Sequence, residues 1–228
     1  MSTSPLALEH VVIPRICGNR ILDVGCGYGK WGFLAKKYFW ATRQGSSCEE
    51  PFVAGLDCHQ PNLNGLRAHK LYDELIHADA TYLPFRDKSF DTVLAIEVME
   101  HLRQEAGYQA LQEFERVAKH CVIISTPNKK CFRGGLTDVH GYNPYEAHVS
   151  RWKIKTFKSL GYQCYGLGLK LWPNWFWSAT ELTYFSYRIP MMSDTLVCVK
   201  LLKPQRTLSM KGFSCDQKGS VCESRFNE

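Results

Sequence analysis

Short runs of apolar, β-branched residues alternate along this chain with longer stretches in which apolar positions return every three or four residues. Five such runs come early: RILDV at 20–24, FVAGLD at 52–57, DELIHAD at 73–79, SFDTVLAIEV at 89–98 and HCVIIST at 120–126. Their length and composition predict strands, and the fourth is apolar enough to be buried on both faces, as in parallel sheets covered by helices. KWGFLAKKYFW at 30–40 and residues 103–119 carry the helical period. A helix over about 151–160, a strand at 162–171, an aromatic-rich helix near 174–188 and a last strand at 194–203 complete the series. Such alternation predicts an α/β fold with a largely parallel sheet and helices on both faces. Two segments interrupt it. ATRQGSSCEEP at 41–51 has the Gly, Ser and Pro of an exposed loop. PNKKCFRGGLTDVHGYNPYEAHVS at 127–150 is too long for a plain connection and is expected to meet a substrate.

The chain has 228 residues, 45% of them apolar, which suits one sizeable core. The expected domain runs over 1–203, with a leading helix within 1–19 and a polar, aperiodic tail at 204–228. Its ten cysteines are scattered singly, without a CxxC pair or finger-like spacing, which fits a reducing, cytoplasmic setting. The N-terminus lacks a charged start followed by an apolar run, and no stretch has the ~20 uncharged apolar residues of a membrane span. Stable membrane insertion is therefore not expected. The net charge is +6, densest at Lys129, Lys130, Arg133, Arg151, Lys153, Lys155 and Lys158. Such a set permits an RNA or phosphate-bearing partner and does not require one.

The strongest chemical signal is ILDVGCGYGKWG at 21–32, a strand that passes through Asp23 into Gly25, Gly27 and Gly29 and then a helix. Glycines there let the backbone turn sharply and approach a ligand, while the helix start presents unpaired N–H groups. GYGKWG also satisfies the dinucleotide pattern GxGxxG. Asp23, two residues before the first glycine, would repel a pyrophosphate and suits a ligand with a cationic amino group.

From about Arg20 to Lys170 the chain resembles the class I S-adenosylmethionine-dependent methyltransferases of the type 11-like group. ILDVGCGYG is similar to their first motif, GLD ending at Asp57 to the acidic end of their second strand, and HADATYLPFRDKSFDTVLAIEVMEHL to their third and fourth motifs. The resemblance implies a Rossmann-like, seven-stranded, mostly parallel sheet with an antiparallel last strand, and S-adenosylmethionine as cofactor. Asp23 and the loop Gly25, Cys26, Gly27 and Gly29 would then face the methionine part. Asp57 would accept the ribose hydroxyls, which takes an acceptor-only group with two oxygens. Asp79 and the Ala80 N–H would meet the adenine edge, Cys58 and Tyr82 would flank its ring, and Glu97 would complete the pocket. Read from the residues alone, Asp23 also serves as a helix cap, and Asp57 and Asp79 as turn formers.

AIEVMEHL at 95–102 sets Glu97, Glu100 and His101 together. On a helix, positions i, i+3 and i+4 share a face, so the three residues suit a divalent ion such as Mg²⁺ or Mn²⁺, a metal-free acid–base pocket, or a helix cap. The ExxEH pattern is similar to that of the ubiquinone-biosynthesis O-methyltransferases and of the 2′-O-methyltransferases that modify small-RNA 3′ ends. STPNKK at 125–130 and HVSRW at 148–152 are similar to the RNA-modifying group and imply His148 as a fourth ligand beside Glu97, Glu100 and His101. Without metal, Glu100, His101 and the loop residue His140 are the candidate catalytic groups. The expected reaction is methyl transfer to an O, N or C nucleophile of a small molecule, because a near-complete single domain has little room for a dedicated macromolecule-binding module. RNA 2′-O-methylation and cofactor binding without catalysis are the alternatives.

Overall fold

In the computed structural model, which describes residues 8–38, 50–128, 134–138, 141–168 and 187–202, the five early apolar runs form strands. They are β1 (Arg20–Val24), β2 (Phe52–Asp57), β3 (Glu74–His77), β4 (Phe90–Ile96) and β5 (Ala118–Pro127). A two-stranded hairpin, β6 (Leu136–Asp138) and β7 (Gly141–Asn143), follows, then β8 (Gln163–Leu167) and β9 (Thr195–Leu201). The helices are α1 (Glu9–Val12), α2 (Lys30–Phe33), α3 (Gln60–Arg67), α4 (Gln104–Val117) and α5 (Ile154–Ser159).

Seven strands make one sheet in the order β3-β2-β1-β4-β5-β9-β8. β1 pairs in parallel with β2 and β4, and β3 and β5 continue the parallel run on either side. β9 alone is antiparallel, inserted between β5 and β8. The sheet is the Rossmann-like one expected. Because the chain leaves β1 first toward β2 and later returns to its other side as β4, the strand order reverses at β1, where open α/β sheets form a crevice at the carboxyl ends of their strands.

Alternation along the strands supplies two apolar layers. Ile21 faces Trp31, Leu63 and Leu66 on one side, and Leu22 and Val24 face Phe114, Trp152 and Phe157 on the other. α4 shows why its stretch is helical: Gly107, Ala110, Leu111, Phe114 and Val117 return every three or four residues and are the ones buried. A Cβ at Gly107 would lie 2.2 Å from Cζ2 of Trp152, so a bare α-carbon lets that indole lie against the helix.

Some local expectations change. α2 gives way after one turn to a wide π-helical turn at Leu34–Tyr38. The expected leading helix is α1 followed by a 3₁₀ turn at Ile13–Arg15. α3 carries no clear helical period because only Leu63 and Leu66 are apolar, yet burial of those two against the sheet holds it. The 127–150 segment is folded in part as the β6–β7 hairpin and a 3₁₀ turn at Pro144–Glu146. The aromatic helix expected near 174–188 falls almost wholly outside the described residues, as does the tail at 204–228. Among the described residues no helix is long and apolar enough to cross a membrane.

Candidate cofactor and acceptor site

A cavity of about 290 Å³ opens at the carboxyl ends of β1 to β4, where the strand order reverses. Its walls are Val24, Gly25 and Gly27 at the glycine loop, Leu56 to Cys58 at the end of β2, Ala78 to Ala80 after β3, and Glu97 and Val98 after β4. Asn143, at the end of β7, and Tyr145 and Glu146, in the 3₁₀ turn after it, close it.

The glycine loop leaves β1 with left-handed backbone at Gly25, Gly27 and Gly29. Gly25 donates its N–H to the Leu56 carbonyl at 2.7 Å, and a Cβ there would stand 2.7 Å from Val98 Cγ2, in the cavity wall. Gly29 precedes α2 with φ +85°, and its Cβ would strike Leu66 Cδ2 at 2.6 Å. A side chain at either glycine is strained by both conformation and space.

Asp57 ends β2 at the wall. Its Oδ2 accepts from the Gly27 N–H and its Oδ1 from the His59 N–H, each at 2.8 Å. The carboxylate is thus fixed by the glycine loop on one side and the entry to α3 on the other. Two of its roughly four lone-pair sites are used, and the rest suit a diol. Asp79 is turned by Thr81, whose N–H and hydroxyl both reach Asp79 Oδ1, at 2.8 and 2.7 Å. The Cys58 thiol is pushed up to about 12 by burial and by the charges of Asp57 and Asp79, so it is a neutral wall group and not a nucleophile.

Asp23 is placed differently from Asp57. Strand alternation sets it on the Ile21 face of β1, behind the wall, only 1% exposed. Tyr72 donates to its Oδ2 at 2.6 Å, while the same hydroxyl accepts from the Gly32 N–H at 3.1 Å. Burial raises the Asp23 carboxyl to about 7, against the pull of the Tyr72 hydrogen bond and with a further push from Asp57. Cys26 and Gly29 also stand behind the wall, Cys26 within the apolar layer, and Tyr82 points to solvent.

The acids after β4 do not sit on a helix, contrary to the expectation from spacing. Glu97 has left-handed backbone, φ +58°, and a single 3₁₀ turn, Met99–His101, follows. β5 holds both acids through a pair of hydroxyls. The Ser125 hydroxyl donates to Glu97 Oε1 at 2.7 Å and, with the Ser125 carbonyl, receives the Glu97 N–H. The Thr126 hydroxyl donates to Glu100 Oε2 at 3.1 Å. Glu100 is buried, which pushes its carboxyl well above the usual range, and the charge of Glu97 adds to the push.

A strap at residues 147–152 lies against that turn. Val149 and Ser150 N–H groups donate to the Glu100 carbonyl, and the Trp152 indole donates to the Met99 carbonyl at 2.8 Å. The strap brings His148 edge-on to His101, with ring centres 4.8 Å apart. Ligand atoms of Glu100, His101 and His148 all lie within 4.8 Å of one another, and Glu97 falls outside this cluster. The Ala147 carbonyl accepts from His101 Nδ1 at 3.1 Å, which leaves Nε2 as the lone-pair nitrogen. Glu100 Oε1 is buried without a hydrogen-bond partner. His140 lies outside the described residues.

The site also contains residues to which the sequence assigned no individual role. Asn62, Asn143 and Glu146 line the cavity, and Tyr72, Ser125 and Thr126 hold its acids in place. Of these, only the polar Ser-Thr pair at the end of an otherwise apolar β5 leaves a visible trace in the sequence.

Residues 22–124 match the family model described as a methyltransferase domain. The chain is 30% identical over 145 residues, 63% of its length, to an uncharacterised protein of Methanocaldococcus jannaschii, covering 54% of that protein. It is 31% identical over 111 residues, 46% of its length, to the ubiquinone biosynthesis O-methyltransferase of Neisseria meningitidis, covering 42% of that enzyme. The chain thus spans about half the length of the curated relatives it matches. Among solved structures it resembles a SAM-dependent methyltransferase from Archaeoglobus fulgidus, at 19% identity and TM-score 0.55, covering 86% of this chain and 91% of that one. That likeness concerns the fold.

Proposed function

We propose that residues 22–124, which match the methyltransferase-domain model, form an S-adenosylmethionine-dependent methyltransferase domain, and that the chain holds S-adenosylmethionine in the cavity at the ends of β1 to β4 and moves its methyl group to an O, N or C nucleophile of a small molecule. The observation that carries this reading is Asp57, an acceptor-only group fixed from both sides by backbone N–H groups at a strand end where the sheet order reverses. Asp79 and Ala80 at the end of β3 offer an adenine-sized edge an acceptor and a backbone N–H. The loop Gly25–Gly27 admits close backbone approach to the methionine part, and Asp23 supports that loop from beneath through Tyr72.

When bound, the cofactor supplies a methyl group already activated on a sulfonium, so the protein's task is alignment and exclusion of water. Val98 and Leu102 give the wall beside Glu97 an apolar surface. His101 lines the same wall with Nδ1 engaged by Ala147, so its Nε2 is the group placed to take a proton from a hydroxyl or amine acceptor. The test is a thermal shift. S-adenosylhomocysteine should raise the melting temperature of the wild type and leave Asp57→Ala unmoved, and equal behaviour of the two would contradict the reading.

One observation favours a metal-assisted variant. Glu100, His101 and His148 converge, and the orphaned Glu100 Oε1 and the His101 Nε2 fit a divalent ion. One oxygen and two imidazole nitrogens suit Mn²⁺ or Zn²⁺ better than Mg²⁺. Held there, such an ion would lower the pKa of an acceptor hydroxyl, the chemistry that a 2′-hydroxyl of RNA requires. Crystals soaked in Mn²⁺ should show anomalous density between the three side chains that His148→Ala abolishes, and an empty site at millimolar Mn²⁺ leaves His101 as a base without metal.

A further inference from the structure

Asn62 has no assigned task. It lies in the first turn of α3, is 3% exposed and lines the cavity, and its amide Oδ1 is sealed from solvent without a hydrogen-bond partner. A buried acceptor left in this state destabilises the empty protein, and a ligand that brings a donor would recover that loss. Nothing in the packing of α3 calls for an amide here, since Leu63 and Leu66 make its contact with the sheet layer.

The position limits which donor it can meet. Leu63 and Leu66 pack in the layer with Cys26 and Trp31, on the glycine-loop side of the sheet. Ala78 and Ala80, beside Asp79, pack against the opposite layer, with Val98 and Leu56. Asn62, between these layers, shares the cavity with the glycine loop and Asp57. The cofactor's donors are the methionine ammonium, the two ribose hydroxyls and the adenine amine, and those that would meet Asp57, five residues before Asn62, are the ribose hydroxyls. A hydroxyl donates once and accepts as well, and an amide offers both functions, so it complements a hydroxyl that is already shared with a carboxylate.

We propose that Asn62 reads a ribose hydroxyl of the cofactor together with Asp57, and so selects a ribonucleoside over its deoxy counterparts. This rests on the cavity being the S-adenosylmethionine site. The amide is a binding group kept at the expense of the empty protein's stability, as functional polar groups often are. Removing it should then have opposite effects on the empty and the loaded protein.

The experiment compares wild type with Asn62→Ala, a substitution that suits a helix. Calorimetry with S-adenosylhomocysteine should show affinity falling about tenfold, while the ligand-free melting temperature stays equal or rises. In competition against S-adenosylhomocysteine, adenosine should outdo 2′-deoxyadenosine or 3′-deoxyadenosine on the wild type, and that preference should shrink on Asn62→Ala. Unchanged affinity, a lower ligand-free melting temperature with the preference intact, or equal deoxy penalties on both proteins would overturn the proposal. If the wild type does not bind S-adenosylhomocysteine at all, the cofactor reading fails and takes this one with it.

Discussion

Asp23 and Asp57 show how far a single residue's role can be read from its neighbours in sequence. Both are acids at the ends of strands, and both resemble known motif positions. Asp57 is the last residue of β2 and projects at the cavity, whereas Asp23 lies one residue inside β1 on its helix-covered face. Parity does not separate them, because Asp23 is in register with Gly55 and Asp57 lies two residues further on the same face; depth along the strands does, with Asp57 at the carboxyl edge and Asp23 beneath it. The consequence is measurable. The ordinary value of an aspartate is 3.8 and that of Asp23 in the fold is about 7, so between those values the native state keeps a proton that the unfolded chain has lost. Stability from this group is full below the lower value and is lost as pH rises through the window. The melting temperature of the wild type should therefore fall more steeply than that of Asp23→Asn between about pH 5 and about pH 8, and parallel curves would contradict the assignment.

At the scale of elements, the strand runs were legible because each is a local pattern, and β1, β2 and β4 fall within a residue or two of where apolar alternation puts them. α3 was not, because two leucines among polar residues make no period, and only the sheet layer shows what they bury. The histidine cluster was visible as a motif and not as geometry. The expected helical face after β4 is replaced by left-handed Glu97 and one 3₁₀ turn, and His148 reaches His101 only because the 147–152 strap is bonded to that turn. Trp152 is the pin, fully buried with its indole on the Met99 carbonyl. Trp152→Ala should cost about 3–5 kcal/mol in denaturant unfolding, while Trp152→Phe, which keeps most of the packing and loses the N–H, should cost about 1 kcal/mol. If both variants unfold like the wild type, the strap is held by something else.

For the whole molecule, the order β3-β2-β1-β4-β5-β9-β8 explains why residues from four strand ends meet at one cavity. Parallel strands deliver their carboxyl ends to the same edge, and reversal at β1 leaves room there for a ligand. That convergence is why short motifs far apart in the chain line one cavity, the proposed cofactor site. The proposed acceptor end is lined by Asn143, Tyr145 and Glu146 and by His101 of the 99–101 turn, stretches without a regular period, and its chemistry follows from contacts rather than motifs. The central claim is that this cavity is an S-adenosylmethionine site organised around Asp57. Its most direct test is titration calorimetry of S-adenosylmethionine and S-adenosylhomocysteine into the wild type and into Asp57→Ala. Binding of both ligands to the wild type with one site per chain, weakened at least about 30-fold in the variant, is the expected result. No binding to the wild type, or equal binding to both proteins, would contradict it.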